Sequence, residues 1–437
     1  MALKIHTVKN TSGSENQRES AVLVAVIKAG DKAWIVEDHL AELASLADTA
    51  GADVAETVIQ RRMKLNPATM IGAGKVSELA SICKRHKAAL VIFDDDLTPV
   101  QVRNLESQLP GKVLDRSGLI LDIFASRARS KEAKVQVELA QNQYYYPRLT
   151  RQWSHLKGQQ GGIGFRGPGE TQLEVDRRAV QRKITHLKKE LKIIARQRST
   201  RRKKRHDTPT AALVGYTNVG KSSLLNALTG KEDAFVEDRL FATLDSKVRR
   251  VAHNPDKPML VIDTVGFIRK LPHHLVASFR STLEETGEAD LIIHVSDISH
   301  PQVEAQMLQT DKVLEDLELD HKPLLLVFNK ADAVTSSAVL KRTQEKYPEA
   351  LIVSAKKGIR IWELCEKMER LLYQGSKRLE LVLSPARLNM LDNLSDQISI
   401  TRKEWEDGSI RVVLTGPDKL IKSVMYNKGL RKEEIIG

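Results

Sequence analysis

The chain contains little cysteine and no long apolar run. Two cysteines occur in 437 residues, Cys83 and Cys365, far apart and without the spacing of metal ligands. A disulfide framework or a zinc site therefore has no support, and we assign both thiols to packing. No stretch of eighteen apolar residues is present, and residues 1–20 are polar, without the apolar middle of a signal peptide. We therefore expect a soluble, cytoplasmic protein.

Acidic residues are almost missing from one segment. Between Arg177 and Arg205 there are fourteen lysines or arginines and one acid, Glu190, in a chain whose formal net charge is +13. A solvated helix surface usually mixes both signs, whereas a cluster of one sign favours contacts with phosphate backbones. The segment predicts a nucleic-acid contact that weakens as salt rises. The alternative is an ordinary solvated helix face.

The sequence does contain a phosphate-binding loop. Residues 215–222 read G-Y-T-N-V-G-K-S, between a short apolar run and a helical stretch. Glycines let backbone N–H groups wrap a phosphate chain at a helix N-terminus, a lysine reaches the outer phosphates, and a serine hydroxyl can bind magnesium. The predicted nucleotide contacts here are Gly215, Tyr216, Thr217, Asn218, Val219, Gly220, Lys221, Ser222 and Ser223.

Four more motifs follow in order. Thr243 lies in F-A-T-L-D, and D-T-V-G (263–266), N-K-A-D (329–332) and S-A-K (354–356) each follow an apolar run. Such runs end where a parallel sheet presents its binding loops. We expect Ser222 and Thr243 to bind magnesium directly, Asp263 to hold it through a water, and the Gly266 N–H to contact a γ-phosphate. Lys221, Thr243 and Gly266 are the predicted catalytic residues.

The N-K-A-D motif predicts which purine is bound. Asp332 can accept hydrogen bonds from N1–H and the exocyclic amine of guanine, and adenine would leave this carboxylate unpaired. The predicted substrate is therefore GTP rather than ATP. We expect Asn329 to brace the loop, Lys330 to lie along the base, and the backbone at Ser354, Ala355 and Lys356 to approach the guanine oxygen. The alternative is that N-K-A-D is an ordinary polar turn.

Two longer strings point to a family. They are G-G-I-G-F-R-G-P-G-E-T-Q-L-E at 161–174 and D-T-V-G-F-I-R-K-L-P at 263–272. With the ordered motifs they resemble the HflX group of ribosome-associated GTPases, in the translation-factor-related class of P-loop GTPases. The resemblance covers about residues 20–375. It implies an Mg²⁺-dependent enzyme that hydrolyses GTP, binds the 50S subunit and its 23S rRNA, and splits or rescues stalled or idle 70S ribosomes under stress. Nothing in the sequence demands more than a monomer.

The sequence departs from many GTPases at Phe267, which stands where a glutamine often orients the attacking water. Intrinsic hydrolysis should therefore be slow. By resemblance, Asn218 matches an asparagine that some relatives use to hold K⁺ beside the phosphates; the alternative is that it merely tolerates the backbone of the loop. The ribosome is a second candidate for completing the catalytic site, if it orders the segment around Thr243.

The predicted architecture is multidomain α/β. It comprises an N-terminal α/β domain (1–125), a basic antiparallel helical hairpin with a glycine-rich tip (126–205), the GTPase domain (206–375) and a small α/β C-terminal domain (376–437). In the first domain, strands at 21–27, 54–60, 90–93 and 113–114 alternate with helices at 38–50, 75–87 and 98–108. Residues 72–75, G-A-G-K, resemble half a phosphate loop and are interpreted as a turn into a helix. In the C-terminal domain we expect a strand at 379–383, a helix at 386–397 and a hairpin across the dipeptide Asp407-Gly408.

The hairpin helices are predicted at 131–156 and 172–198, with a basic linker at 199–208. An apolar seam runs through the second helix, and Pro147 should kink or break the first near Tyr146. Residues 158–170 are predicted to be a flexible loop that orders against a partner, or a disordered connection. Tyr144, Tyr145, Tyr146 and Trp153 either pack between helices or stack on RNA. The predicted ribosome contacts are Gly161, Gly162, Arg166, Gly167, Gly169, Arg177, Arg178, Arg182 and Lys183.

Two rival functions remain open. One is a GTPase that marks a checkpoint in large-subunit assembly. The other is ATP-dependent RNA remodelling by the N-terminal domain, an activity that has been connected with this domain in the HflX family and that would use Lys75.

Overall fold

The computed structural model describes residues 18–149, 168–203, 208–230, 240–241, 247–270, 286–374, 377–384, 399–406, 409–416 and 421. The chain forms two compact units: the first contains the N-terminal sheet and most of the two long helices, and the second contains the other two sheets. Among the described helices, none combines the length and the apolar character needed to span a bilayer.

The N-terminal sheet is wholly parallel, with the strand order β2-β1-β3-β4. Its elements are β1 (Glu19–Ile27), α1 (Ala33–Thr49), β2 (Ala52–Arg61), α2 (Ala73–His86), β3 (Leu90–Phe93), α3 (Pro99–Glu106), β4 (Lys112–Asp115) and α4 (Arg116–Arg127). Each predicted strand and helix of this region is present. The central strand β3 is buried along its whole length, as expected for a strand covered on both faces.

Buried charges close the end of this sheet. Arg116 is fully buried and its guanidinium pairs with Asp94 at 2.9 Å and with Glu42. Asp115, also fully buried, caps α4 by accepting from the Gly118 N–H and accepts from the Tyr144 hydroxyl at 2.6 Å. Burial of these charges is tolerable because each has a partner of the opposite sign or a hydrogen-bond donor.

The G-A-G-K segment is a turn into a helix, as interpreted from the sequence. Gly72 precedes α2, its N–H donates to the Gln60 side chain, and Lys75 forms an ion pair with Glu78 at 2.7 Å. Cys83 is buried in the core of this unit and Cys365 is buried in the second, so both thiols pack as expected.

The two long helices are α5 (Lys131–Leu149) and α6 (Pro168–Lys203). Val135 and Leu139 of α5 pack against Ile184 and Leu187 of α6. Ion pairs link Lys131 with Glu190 and Glu138 with Lys183, so residue numbers that increase along α5 are matched by residue numbers that decrease along α6. The helices therefore run antiparallel over this stretch.

The structure differs from the prediction in three details of these helices. α5 continues through Pro147 to Leu149, so the helix does not break near Tyr146 within the described residues, and a kink at that point stays a prediction. α6 begins at Pro168, so Gly169 lies in its first turn and not in the glycine loop; proline suits a first turn, where its missing N–H costs nothing. Residues 199–203 are helical rather than linker, which fits the good helix propensity of lysine and arginine. The rest of the predicted first helix and Trp153 lie outside the described residues.

The second unit contains a six-stranded sheet in the order β10-β9-β8-β5-β7-β6, in which only β6 is antiparallel. Its elements are β5 (Thr210–Val214), α7 (Lys221–Thr229), β6 (Lys247–Arg250), β7 (Leu260–Asp263), β8 (Leu291–Asp297), α8 (Val303–Asp316), β9 (Leu324–Asn329), α9 (Ser337–Lys346), β10 (Leu351–Ile352) and α10 (Ile361–Leu372). A 3-10 turn spans Ala331–Ala333.

A three-stranded antiparallel sheet follows, in the order β11-β13-β12. Its strands are β11 (Lys377–Leu383), β12 (Ser399–Glu406) and β13 (Ser409–Gly416). β12 and β13 pair with Glu406 opposite Ser409, on either side of the Asp407-Gly408 dipeptide that predicted a hairpin. The helix predicted at 386–397 lies outside the described residues.

Candidate functional site

The glycine loop connects β5 to α7 at the carboxyl edge of the six-stranded sheet. Gly220 has a φ of 89°, and a Cβ on this residue would lie 2.4 Å from the Asn329 amide nitrogen. Gly215 has a φ of 149°, and a Cβ there would lie 2.1 Å from the Val295 carbonyl oxygen. Both positions require glycine, because a side chain would be strained and would collide with a neighbouring strand end.

Lys221 begins α7 and is folded back under the loop. Its side chain is buried, and its ammonium donates to the carbonyl oxygens of Gly215 at 3.0 Å and Tyr216 at 2.8 Å. Burial lowers the pKa of this ammonium to about 8, while the nearby Asp263 carboxylate acts in the opposite direction. In this position the ammonium is hydrogen-bonded to two carbonyl groups instead of water. An anion would stabilise its charge more strongly than these neutral groups do.

Ser222 and Asp263 bring two oxygen ligands together. The Ser222 hydroxyl donates to the Asp263 carboxylate at 2.7 Å, and Asp263 is fully buried at the end of β7. Hydroxyl and carboxylate oxygens beside a phosphate loop are the donors that Mg²⁺ prefers, so this pair fits the ion. When bound, magnesium would neutralise charge on the phosphate oxygens. The predicted third ligand, Thr243, lies outside the described residues.

Gly266 lies directly over the glycine loop. A Cβ on it would be 2.8 Å from Thr217 Cγ2 and 3.0 Å from the Lys221 ammonium. The backbone is fixed there because the Phe267 N–H donates to the Gly215 carbonyl at 3.0 Å and the Thr217 N–H donates to the Phe267 carbonyl at 2.7 Å. In addition, the Arg269 N–H donates to the Tyr216 hydroxyl at 2.8 Å. We call these three hydrogen bonds the loop zipper.

The Phe267 side chain does not face the phosphate site. It is 2 % exposed and packs with Val214, Ile292, Leu314 and Leu319. A phenyl ring in an apolar cluster cannot orient water, which agrees with the slow intrinsic hydrolysis predicted from the sequence.

Asn329 connects the glycine loop with the predicted base-binding loops. Its amide nitrogen donates to the Val219 carbonyl at 2.9 Å, and its amide oxygen accepts from the Ala355 N–H at 3.0 Å. The side chain is 2 % exposed. Asn329 thus braces two loops at once, as expected for the asparagine of the N-K-A-D motif.

Asp332 is exposed in the 3-10 turn after β9, where a base can reach it. The hydroxyl of the buried Ser354 donates to the Asp332 carboxylate and itself accepts from the Lys357 N–H at 3.1 Å. Sequence reasoning assigned only the backbone of Ser354 and missed this role of its side chain. Lys330, in the left-handed region with a φ of 62°, pairs with Asp297 at 2.8 Å. That ion pair holds its stem beside the turn.

The other predicted nucleotide contacts cluster at the same edge. Val219 is buried, Ser223 lies in the first turn of α7, and Lys356 is exposed after Ala355. Asn218 is exposed with a φ of 60°. This backbone suits an asparagine with or without a potassium ion, so both interpretations of Asn218 stand.

The predicted ribosome contacts divide into two groups. Gly161, Gly162, Arg166 and Gly167 lie outside the described residues. Arg177, Arg178 and Lys183 are exposed on α6 but engaged, by Tyr146, Glu174 and Glu138 respectively, and Arg182 is exposed on the same helix. Tyr144 is buried, donates to Asp115 and stacks under the Arg148 guanidinium, so it packs rather than presenting a face to RNA.

The second unit combines a largely parallel sheet with a glycine loop that leads into a helix and contains a buried lysine. It also has a serine and an aspartate that fit magnesium, and an N-K-A-D turn. These features define a P-loop GTPase. Three family models match the chain in succession: a GTP-binding GTPase N-terminal domain at 37–125, a GTP-binding GTPase middle region at 127–205, and a model described as a 50S ribosome-binding GTPase at 210–330.

Relatives identify the family. The GTPase HflX of Escherichia coli strain K12 is 41 % identical over 404 residues, covering 91 % of this chain and 94 % of that protein. The GTPase HflX of Caldanaerobacter subterraneus is 41 % identical over 397 residues, or 90 % of each chain. The chain belongs to the HflX family of GTPases. Among solved structures, a GTP-binding protein from Sulfolobus solfataricus in complex with GDP is 25 % identical, over 82 % of this chain and 99 % of that one, with a TM-score of 0.43.

Nucleotide binding should take up protons near pH 8. At that pH about half of the Lys221 side chains in the free protein are neutral, and a triphosphate beside the amine restores its charge. Titration calorimetry in buffers of different ionisation enthalpy should give an uptake that grows between about pH 7 and pH 9, with GTP affinity falling over the same range. A flat proton balance across this range would contradict a lowered pKa of the Lys221 ammonium.

Asp332→Asn should exchange guanine for xanthine. The amide keeps one acceptor and gains a donor, which suits the N1–H and C2 carbonyl of xanthine but opposes the guanine amine. We expect GTP affinity to fall by roughly 100-fold and XTP affinity to rise, measured by calorimetry. Asp320→Asn, which removes the same charge from an exposed position of the same unit, is the control. Unchanged GTP affinity in the Asp332 variant would refute guanine recognition by this turn.

Proposed function

We propose that this GTPase binds the large ribosomal subunit in its GTP form and splits or rescues stalled or idle 70S ribosomes under stress. GTP hydrolysis would end the interaction. The observation that carries the proposal is a row of basic side chains on α6, in a chain whose family model for residues 210–330 is described as a 50S ribosome-binding GTPase.

Four exposed residues form this row, which we call the α6 stripe: Arg178, Arg182, Lys189 and Lys192. Their spacings of four, seven and three residues keep them on one face of a helix over about 21 Å. The apolar residues Ile184 and Leu187 point the opposite way, into α5. The stripe is therefore turned outwards, where a polyanion can reach it.

The charge of the two helices is distributed unevenly around them. Lys183 and Glu190 lie on a flank of α6 that faces α5, and both form ion pairs across to that helix. Of the stripe residues, Arg178 pairs only within α6, with Glu174. Cations not neutralised by the opposite helix release counterions when they meet phosphate, and this favours RNA over a neutral partner.

The nucleotide site supplies the switch. A Cβ on Gly266 would be 3.0 Å from the Lys221 ammonium, so the D-T-V-G segment lies close to this cation, and we expect a γ-phosphate that binds the ammonium to move the segment. GTP and GDP thereby favour different positions of this segment, and a ribosome that prefers one position will bind the two forms with different affinity. Magnesium would be held by Ser222 and Asp263, and Thr243 is proposed to join them when GTP is bound. Such a protein acts in the cytoplasm, partly on ribosomes.

Two rival functions predict different outcomes. A large-subunit assembly GTPase would leave 70S ribosomes intact, and its depletion would cause immature 50S particles to accumulate. ATP-dependent remodelling through Lys75 has less support, because the Gly72 N–H and the Lys75 ammonium already bind Gln60 and Glu78.

Splitting is tested by sedimenting 70S ribosomes with the protein and a non-hydrolysable GTP analogue through sucrose. Free 50S and 30S peaks are expected with the analogue and not with GDP. An unchanged 70S peak would rule out splitting as the direct activity.

Purified 50S subunits should raise the rate of GTP turnover more than about tenfold, by completing a site that lacks a water-orienting glutamine.

The α6 stripe is tested by charge removal. Arg182→Gln with Lys189→Gln should weaken co-sedimentation with 50S subunits by about tenfold near 0.15 M salt and lower the salt slope by about two. The matched control is Lys346→Gln with Lys367→Gln, which removes the same charge from two ion pairs of the second unit. Equal losses for the two variants would show that general charge, not the stripe, governs binding.

A further inference from the structure

Thr217, the third residue of the glycine loop, carries a hydroxyl with no assigned role. The residue is 6 % exposed, and its Oγ1 atom is buried without a hydrogen-bond partner. A buried hydroxyl that bonds neither protein nor water costs free energy, and natural proteins tolerate it where it serves a ligand or a reaction.

The position of this side chain points to the third phosphate. Thr217 Cγ2, Thr217 Cα and the Lys221 ammonium lie 2.8, 2.9 and 3.0 Å from the point where a Cβ on Gly266 would stand. The threonine side chain, the glycine that senses a γ-phosphate and the lysine that neutralises it therefore meet at one place. The methyl and the hydroxyl of Thr217 share one Cβ, so a rotation about χ1 brings the hydroxyl to the place that the methyl now occupies beside Gly266.

Neighbouring hydroxyls in the two loops have partners. The Ser222 hydroxyl donates to Asp263 at 2.7 Å, and the Thr264 hydroxyl donates to the Leu213 carbonyl at 2.6 Å. The Tyr216 hydroxyl accepts from the Arg269 N–H. Thr217 is thus the hydroxyl that remains available among the described residues of the glycine loop and the D-T-V-G segment.

The residue that usually orients the attacking water is missing. Phe267 holds its ring in the apolar cluster with Val214, Ile292 and Leu314. Turning the ring towards the phosphates would expose it and still provide no hydrogen bond. A polar contact to the water can instead come from a side chain beside the γ-phosphate, where Thr217 Oγ1 is buried without a hydrogen-bond partner.

We propose that the Thr217 hydroxyl makes this contact and is a catalytic residue for GTP hydrolysis. It accepts a hydrogen bond from the attacking water and so aligns that water with the γ-phosphorus. The water oxygen forms the new P–O bond as the bond to the β–γ bridging oxygen breaks, with its electron pair staying on GDP. The water proton passes to the released phosphate. The threonine forms no covalent bond.

The test separates the rate of hydrolysis from nucleotide affinity. Thr217→Val removes the hydroxyl and nearly keeps the shape, and Thr217→Ala removes it without a branched side chain. In the full-length protein with Mg²⁺, both should lower the single-turnover rate of GTP hydrolysis by roughly 100-fold. GDP and GTP affinities, measured by calorimetry, should change less than about threefold, since the hydroxyl serves the reacting water. Thr217→Ser should retain a rate within about threefold of the unaltered protein.

Thr310→Val is the matched control. It deletes another buried threonine hydroxyl of the same unit, which donates to the Gln306 carbonyl within α8 at 3.0 Å. Its hydrolysis rate should be unchanged. The proposal is overturned if the valine and alanine variants hydrolyse GTP at the normal rate, if their affinities fall as much as their rates, or if the serine variant is as slow as they are.

Discussion

The structure of the nucleotide site depends on one confined positive charge. The Lys221 ammonium lies under the glycine loop, held by the carbonyls of Gly215 and Tyr216 and covered by Gly266. Burial disfavours the charged form of this lysine and lowers its pKa. A phosphate that binds beside the ammonium would stabilise the charged form, so the site favours an anion. The loop zipper holds Phe267 and Arg269 against the same loop, beside the place where we propose that a γ-phosphate enters.

The base-binding side is joined to this arrangement through Asn329. Its amide bonds both Val219 and Ala355, so hydrogen bonds of one side chain link the phosphate loop with the loop that contains Ser354. Ser354 in turn donates to the Asp332 carboxylate. The loop predicted to bind phosphates and the loops predicted to bind guanine are therefore parts of one hydrogen-bonded frame at the carboxyl ends of β5, β9 and β10.

Much of this could be predicted from the sequence. The motifs fix which strand ends carry Lys221, Asp263 and Asn329, since apolar runs of a parallel sheet end at one edge. Side-chain contacts between loops were not predictable: no local pattern tells that Ser354 bonds Asp332 or that Tyr216 accepts from Arg269. The helix limits at Pro168 and Lys203 were predicted wrongly for a different reason, which also applies to the predicted break of α5 at Pro147. Glycine, proline and charge runs were interpreted as breaks although helical geometry accommodates them at these places.

We propose that the third phosphate opens the loop zipper when it enters beside Gly266. Hydrogen exchange of the backbone amides of Thr217, Phe267 and Arg269 measures this directly, because all three donate to the zipper in the free protein. We expect these amides to exchange slowly in the free protein and with GDP, and at least the Phe267 and Arg269 amides to exchange faster with a non-hydrolysable GTP analogue and Mg²⁺. Equal protection of these amides with GDP and with the analogue would show that the zipper stays closed.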